Sequence, residues 1–323
     1  MTVAITSVGL LGCGAEPSEP PQVERPGRAA WTQLASDGLF LVEPADFSAG
    51  NGSQAWIADT LFEAVTRYDE SRGDYRMFGR DDAEPVEVVR PRLVEEAADL
   101  GVFVYDAQTR SVDLFTHGGE HLKGFELGFT PVLMRLTRFP FGLAFATLAR
   151  TESDSVPVLR IIWENLEGEA ADTLLDGSRG PPSVRGISPR VGETALAPSG
   201  RGLWLWSAAA RDTVFEIAPK GRGRKLAVRI PDGMSIGLLG DRNGDLLWVL
   251  RSDSTGVFHY RAYDVRGEGS LRAKDRFLGA RTTPDDFIPM DQSGGIVVGW
   301  HRSERNERLI AAWDLGIAEP LTP

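Results

Sequence analysis

The chain has 323 residues, 42% of them hydrophobic and 25% charged, enough to bury the core of one large domain or two ordinary ones. With 35 Lys and Arg against 46 Asp and Glu the formal charge is −11, which excludes general binding to a nucleic-acid backbone, a task that needs clustered cations. A single cysteine excludes an internal disulfide framework, and 36 Gly and 20 Pro disfavour a bundle of long helices.

The first segment reads MTVAITSVGLLGCG. Its uncharged run, Thr2 to Gly12, is too short to span a bilayer as a mature helix and has the length of the apolar region of a signal peptide. It ends Leu10-Leu11-Gly12-Cys13, which resembles the bacterial lipobox. That resemblance implies cleavage before Cys13 and acylation of Cys13, with several acyl chains holding the mature protein on a membrane. Residues 1–12 are then the lipoprotein signal peptide. Residues 13–29, rich in Pro and Glu, form an extended tether that cannot pack. No Asp follows Cys13, and by resemblance to proteobacterial sorting this favours the outer membrane. The expected address is the bacterial cell envelope, with the lipid anchor as the only contact with the membrane.

From residue 30 onward the chain repeats. At an offset of 47 residues Trp56 meets Phe103, Asp59 meets Asp106, Val65 meets Val112 and Tyr68 meets Phe115. A strand ending in an aromatic with a small polar or acidic residue behind it recurs at Tyr68, Phe115, Trp163, Tyr263 and Trp313, with Ile217 as a degenerate copy. Further strands precede these units, joined by turns such as Ser199-Gly200-Arg201-Gly202 and Gln292-Ser293-Gly294-Gly295, where glycine supplies the positive φ of tight hairpins. Four antiparallel strands repeated six times predict an all-β six-bladed β-propeller over residues 30–323. Few residues follow Asp314, so the segment Ala30 to Ala35 is expected to close the last blade as its outermost strand, removing an exposed edge.

Ala58-Asp59 leading to Tyr68-Asp69, and Tyr105-Asp106 leading to Phe115, resemble the NHL repeat of six-bladed propellers. The arginine that family places before the next strand is replaced by Ala64 and Ser111. The resemblance implies a fold, and fold alone carries no function.

Candidate site residues follow from the loops between second and third strands, which line one rim of the channel in propellers. Asp59 and Asp106 belong there in the first two blades, and Arg150, Arg211, Arg251 and Arg302 in the other four, with Trp300 and His301 beside the last. Acids on one arc and arginines on the other can focus a field on a polar ligand. The repeated aromatics Trp56, Phe103, Trp204 and Trp248 are expected to pack between blades. His117 and His121 flank the tip Gly118-Gly119-Glu120, but a hairpin does not aim them at one another and no metal site is expected.

Ile230-Pro231-Asp232-Gly233-Met234, with the later Gly244-Asp245-Leu246-Leu247-Trp248, resembles a segment of the calcium-dependent gluconolactonases. The resemblance implies that Asp232 is a calcium ligand in a hydrolase. The paired Asn ligands and the Glu-Gly-Pro-x-Trp motif of that family have no counterpart in this chain, and a hard cation wants several oxygens. The leading expectation is therefore a binding module without a cofactor, recognising a protein, peptide or glycan at its channel mouth. A calcium-dependent lactonase or esterase is the alternative.

Overall fold

The computed structural model describes residues 30–33, 41–50, 54–69, 72, 74–79, 88–138, 141–149, 158–168, 171–176, 194–199, 202–207, 213–217, 224–228, 235–242, 246–252, 258–265, 275–276, 287–293, 296–302 and 307–314. Strand β1 (Ala30–Gln33) comes first. The first sheet then holds β2 (Pro44–Ala49), β3 (Gln54–Asp59), β4 (Ala64–Asp69) and β5 (Asp74–Phe78). The second holds β6 (Pro91–Glu96), β7 (Val102–Asp106), β8 (Ser111–Phe115) and β9 (His121–Glu126). The third comprises β10 (Pro131–Arg138), β11 (Phe141–Ala149), β12 (Val158–Glu164) and β13 (Ala171–Asp176). The fourth has β14 (Thr194–Pro198), β15 (Leu203–Ser207), β16 (Thr213–Ile217) and β17 (Arg224–Ala227), and the fifth β18 (Ser235–Arg242), β19 (Leu246–Ser252), β20 (Phe258–Asp264) and β21 (Asp275–Arg276). The sixth is built from β22 (Phe287–Ser293), β23 (Ile296–Arg302) and β24 (Arg308–Asp314), with β1 added to it.

Among the described residues these strands form six four-stranded antiparallel sheets. The first strand of each sheet packs against the first strand of the next, β2 on β6 through to β18 on β22, and β22 packs back on β2. A closed ring of radial antiparallel sheets is a β-propeller. Burial follows the radius. Strand β7, second from the axis, is buried along its whole length, whereas β9, the outermost of the same sheet, alternates half-buried and exposed residues.

Side chains from facing sheets make the core. Trp56 and Val65 pack with Val94, Val104 and Phe115, and Phe103 and Tyr105 with Met134 and Phe145. Ala144 and Ile161 meet Leu196 and Leu205, while Trp204 and Trp206 meet Leu247 and Tyr263. The sixth sheet closes on the first through Val298 and Ile310 against Leu41, Phe47 and Ile57. Trp56, Phe103 and Trp204 are thus packing residues between sheets, as their repetition predicts.

Each sheet has two ends. At the crossover end the chain passes from one sheet to the next and makes the turn between second and third strands; at the hairpin end the other two turns lie. The β6–β7 turn, at the hairpin end, requires glycine. Gly101 has φ +126°, and a Cβ there would lie 1.9 Å from the Phe115 carbonyl oxygen, so no other residue fits without moving the next strand.

Strand β1 pairs antiparallel with β24, Ala30 opposite Asp314 and Gln33 opposite Ala311. The sixth sheet therefore joins chain from both ends of the sequence and covers the outer edge of β24. Deleting residues 1–35 should lower the melting temperature far more than deleting residues 1–28, because only the longer deletion removes β1. Equal melting temperatures would contradict this closure.

Candidate functional site

Two sets of charged residues are built from the strands upward, one on the axis and one at the crossover end.

The axial set arises because the first strand of every sheet is an edge strand, with N–H groups that no neighbouring strand of its own sheet can accept. At three of the seams side chains of the preceding sheet accept them instead. Asp46 Oδ2 takes the Val94 amide at 3.0 Å and Ser48 Oγ the Glu96 amide at 2.8 Å. Glu95 Oε1 takes Leu136 at 2.8 Å, and Asp291 Oδ2 takes Ala49 at 2.8 Å. Ser48, Glu95, Arg135 and Asp291 lie opposite Trp56, Phe103, Ala144 and Val298 of their second strands. Those partners all face the following sheet, so the four residues hold one register position in four sheets. Ala197 opposite Trp204 and Gly240 opposite Trp248 hold it in the other two.

Arg135 ties this layer together. Its Nη1 lies 3.4 Å from Glu95 Oε2 and donates to the Met134 carbonyl at 2.9 Å. Its Nη2 reaches Asp291 Oδ1 at 3.3 Å, from the third sheet to the sixth, which stand opposite in the ring. Arg135, Glu95, Asp46 and Asp291 are all buried. Burial pushes the Asp46 carboxyl up to about 7, against the pull of Arg135 and the Val94 amide. Glu95 moves upward for the same reason, again opposed by Arg135 and reinforced by Asp291. Burial alone would depress Arg135, but the surrounding carboxylates outweigh it and hold the guanidinium charged. Three acids around one cation carry an excess of negative charge. The raised values of Asp46 and Glu95 favour their neutral forms, which lessens that excess.

Asp59 and Asp106, expected as acids of the channel mouth, stand at the crossover end, but both are buried and bound to backbone amides. Asp59 accepts Val42 at 2.6 Å, Glu43 at 3.0 Å and Phe62 at 3.1 Å. Asp106 accepts Val89 and Arg90, both at 2.7 Å, and also Gln108 and Thr109. Each carboxylate thus caps its own turn and fastens the segment entering its sheet. The turns end in matching left-handed residues, Glu63 at φ 55° and Arg110 at φ 60°. Backbone geometry accounts for the repeated acid at these turns.

The other expected site residues fall as follows. Arg251 and Arg302 belong to strands β19 and β23 rather than to loops; Arg251 pairs with Ile236 and His259, Arg302 with Arg308, and His301 with Phe287 and Leu309. Trp300 is half-buried against the seam of the sixth and first sheets, with the Arg308 guanidinium 5.2 Å from its ring centroid. Arg150, Arg211, Asp232 and Cys13 lie outside the described residues. His117 and His121 turn to separate partners. His117 lies 3.7 Å from Glu96 and 5.7 Å from the Trp56 ring, while His121 Nε2 is 3.0 Å from Asp113 Oδ1. Burial, and then the charge of Arg67, lower the His117 pKa, which weakens any ion pair with Glu96.

The axial cluster was absent from the loop-based expectation, yet it left a trace in sequence. Pro44, Pro91, Pro131 and Pro289 each stand in a first strand where its register then shifts, with a charged residue two or four positions on. Proline is tolerated only at an edge, so this pattern marks the strands that line the axis.

The ring and its axial cluster define a β-propeller. Solved structures sharing this fold include a Bacteroides fragilis protein described as exported, with a TM-score of 0.55 at 10% identity over 88% of this chain and 94% of that one. A gluconolactonase from Xanthomonas campestris gives 0.51 at 13% identity over 92% and 93%. At such identities the likeness is one of fold. No family model matches the chain, and no curated protein matches it.

Replacing Arg135 by Met should cost roughly 3–5 kcal/mol of stability, since it leaves buried acids without their cation; urea unfolding at pH 7 measures it, and a loss below about 1 kcal/mol would contradict the role of Arg135 as counter-charge. The pH dependence has a definite sign. Asp46 and Glu95 start from ordinary values of 3.8 and 4.5 and are raised in the fold. The folded chain therefore keeps protons that the unfolded chain releases, and their contribution to stability falls as pH rises from about 4 through neutrality. Glu95→Gln keeps the acceptor for Leu136 but cannot titrate. Its stability relative to the parent should rise across that window, and a flat difference would refute the assignment.

Proposed function

We propose that the chain is a lipid-anchored cell-envelope β-propeller that recognises a protein, peptide or glycan at the crossover end of its six-bladed ring. The observation that carries this reading is the commitment of the axial acids. Asp46, Glu95 and Asp291 are engaged by Arg135 and by amides of neighbouring sheets, so the axis acts as a strut.

Accessible side chains gather elsewhere at the crossover end. Val42, Leu61 and Ile288 are exposed, at 44%, 64% and 41%, and Ile288 lies opposite half-buried Trp300. Exposed aliphatics beside an aromatic and a cation suit recognition better than solvation. The lactonase alternative rests on Asp232 and on a fold shared with a gluconolactonase. Fold alone does not carry that chemistry.

Capture of partners from the native envelope tests the reading. The parent chain and Leu100→Asp, a change at the hairpin end, should retain the same partner in EDTA, while Leu61→Asp should lose it. Equal capture by both variants would remove the crossover end as the binding surface, and capture that needs calcium would favour the alternative. The anchor is tested separately: Cys13→Ala should move the protein from the membrane to the soluble fraction, and unchanged fractionation would defeat it.

A further inference from the structure

At the seam of the sixth and first sheets we propose a binding site for an acidic side chain of a peptide, flanked by aliphatic residues, with Arg308 as the group that receives the carboxylate. This deepens the binding reading above and rests on it.

Arg308 is held in place without being neutralised. Its Nη1 donates to the Val42 carbonyl at 2.6 Å, and its plane lies against Trp300. Among the described residues no carboxylate stands within ion-pair distance of it, whereas Arg67, Arg72 and Arg135 each face an acid. The seam thus holds an oriented fork with hydrogen-bond donors left over, the geometry that recognises a carboxylate.

The surroundings define the rest of the ligand. Ile288 pairs with Trp300 across the strands. Val42 and the turn bearing Leu61 are fastened to the same carboxylate, Asp59. Val42 and Ile288 therefore adjoin the cation, with Leu61 on the turn that shares Asp59 with Val42, and apolar cover strengthens a charged hydrogen bond by excluding water. A glycan would want an open aromatic face for its sugar ring, but Arg308 already covers that of Trp300. An acidic residue between aliphatic ones fits both halves of the site.

The test uses the full chain and a fluorescein-labelled peptide, Gly-Ser-Leu-Asp-Leu-Ser-Gly, beside its Leu-Asn-Leu counterpart, with binding read by anisotropy. The Asp peptide should bind about tenfold more tightly than the Asn peptide, the scale of one charge-assisted hydrogen bond. Arg308→Gln should abolish the difference. Because that change also frees the Val42 carbonyl, Leu61→Ser provides a second reading. It lies outside the Arg308 contacts and should weaken both peptides severalfold with the melting temperature unchanged. Equal binding of the two peptides, no binding at millimolar concentration, discrimination that survives in Arg308→Gln, or unchanged affinity in Leu61→Ser would each overturn the proposal. So would preference for an uncharged oligosaccharide. If envelope capture still depends on Leu61 while the peptides are not distinguished, the binding module stands and this ligand does not.

Discussion

Everything in this ring depends on what happens to the unpaired amides of its innermost strands. A propeller brings six sheet edges together around one axis, and an unsatisfied amide in such a place costs as much as a lost hydrogen bond. Here the acceptors are side chains of the sheet before, so Asp46, Ser48, Glu95 and Asp291 each link two sheets that share no β-ladder. Carboxylates are strong acceptors, but several of them around an axis repel. Arg135 eases that conflict by spanning from Glu95 to Asp291. Closure of the ring and composition of its axis are therefore one problem with one solution.

The same chemistry recurs at the crossover end with a different purpose. Asp59 and Asp106 each gather three or four amides from two pieces of chain, fixing a turn and the segment that enters the sheet. A buried carboxylate surrounded by amides is stable without any cation. That is why an acid can repeat at this position.

The strands were legible because their signals are local: aromatics that end the third strand, glycines in tight turns, and an interval near that of a four-stranded unit. The closing strand was legible too, since Ala30 to Gln33 had no place elsewhere and the last sheet lacked an edge partner. The axial cluster was not, because Arg135 and Asp291 are 156 residues apart and meet only once the ring is shut. Sequence spacing placed Asp59 and Asp106 at the correct turns but could not reveal the crossing segment beneath them, which supplies four of their seven donors. Arg251 and Arg302 were assigned to loops because their strands run to Ser252 and Arg302, past the point where hydrophobic alternation fades.

The register of β1 on β24 bears on mechanics as well as closure. Ala30 lies opposite Asp314 at the hairpin end, while Gln33 leads toward the crossover end. A force on residue 30 directed away from the hairpin end runs along the axis of β1. The four paired positions then resist together, in shear, instead of parting one after another as a peeled strand would. A load along that axis would meet the sixth sheet in its stronger direction.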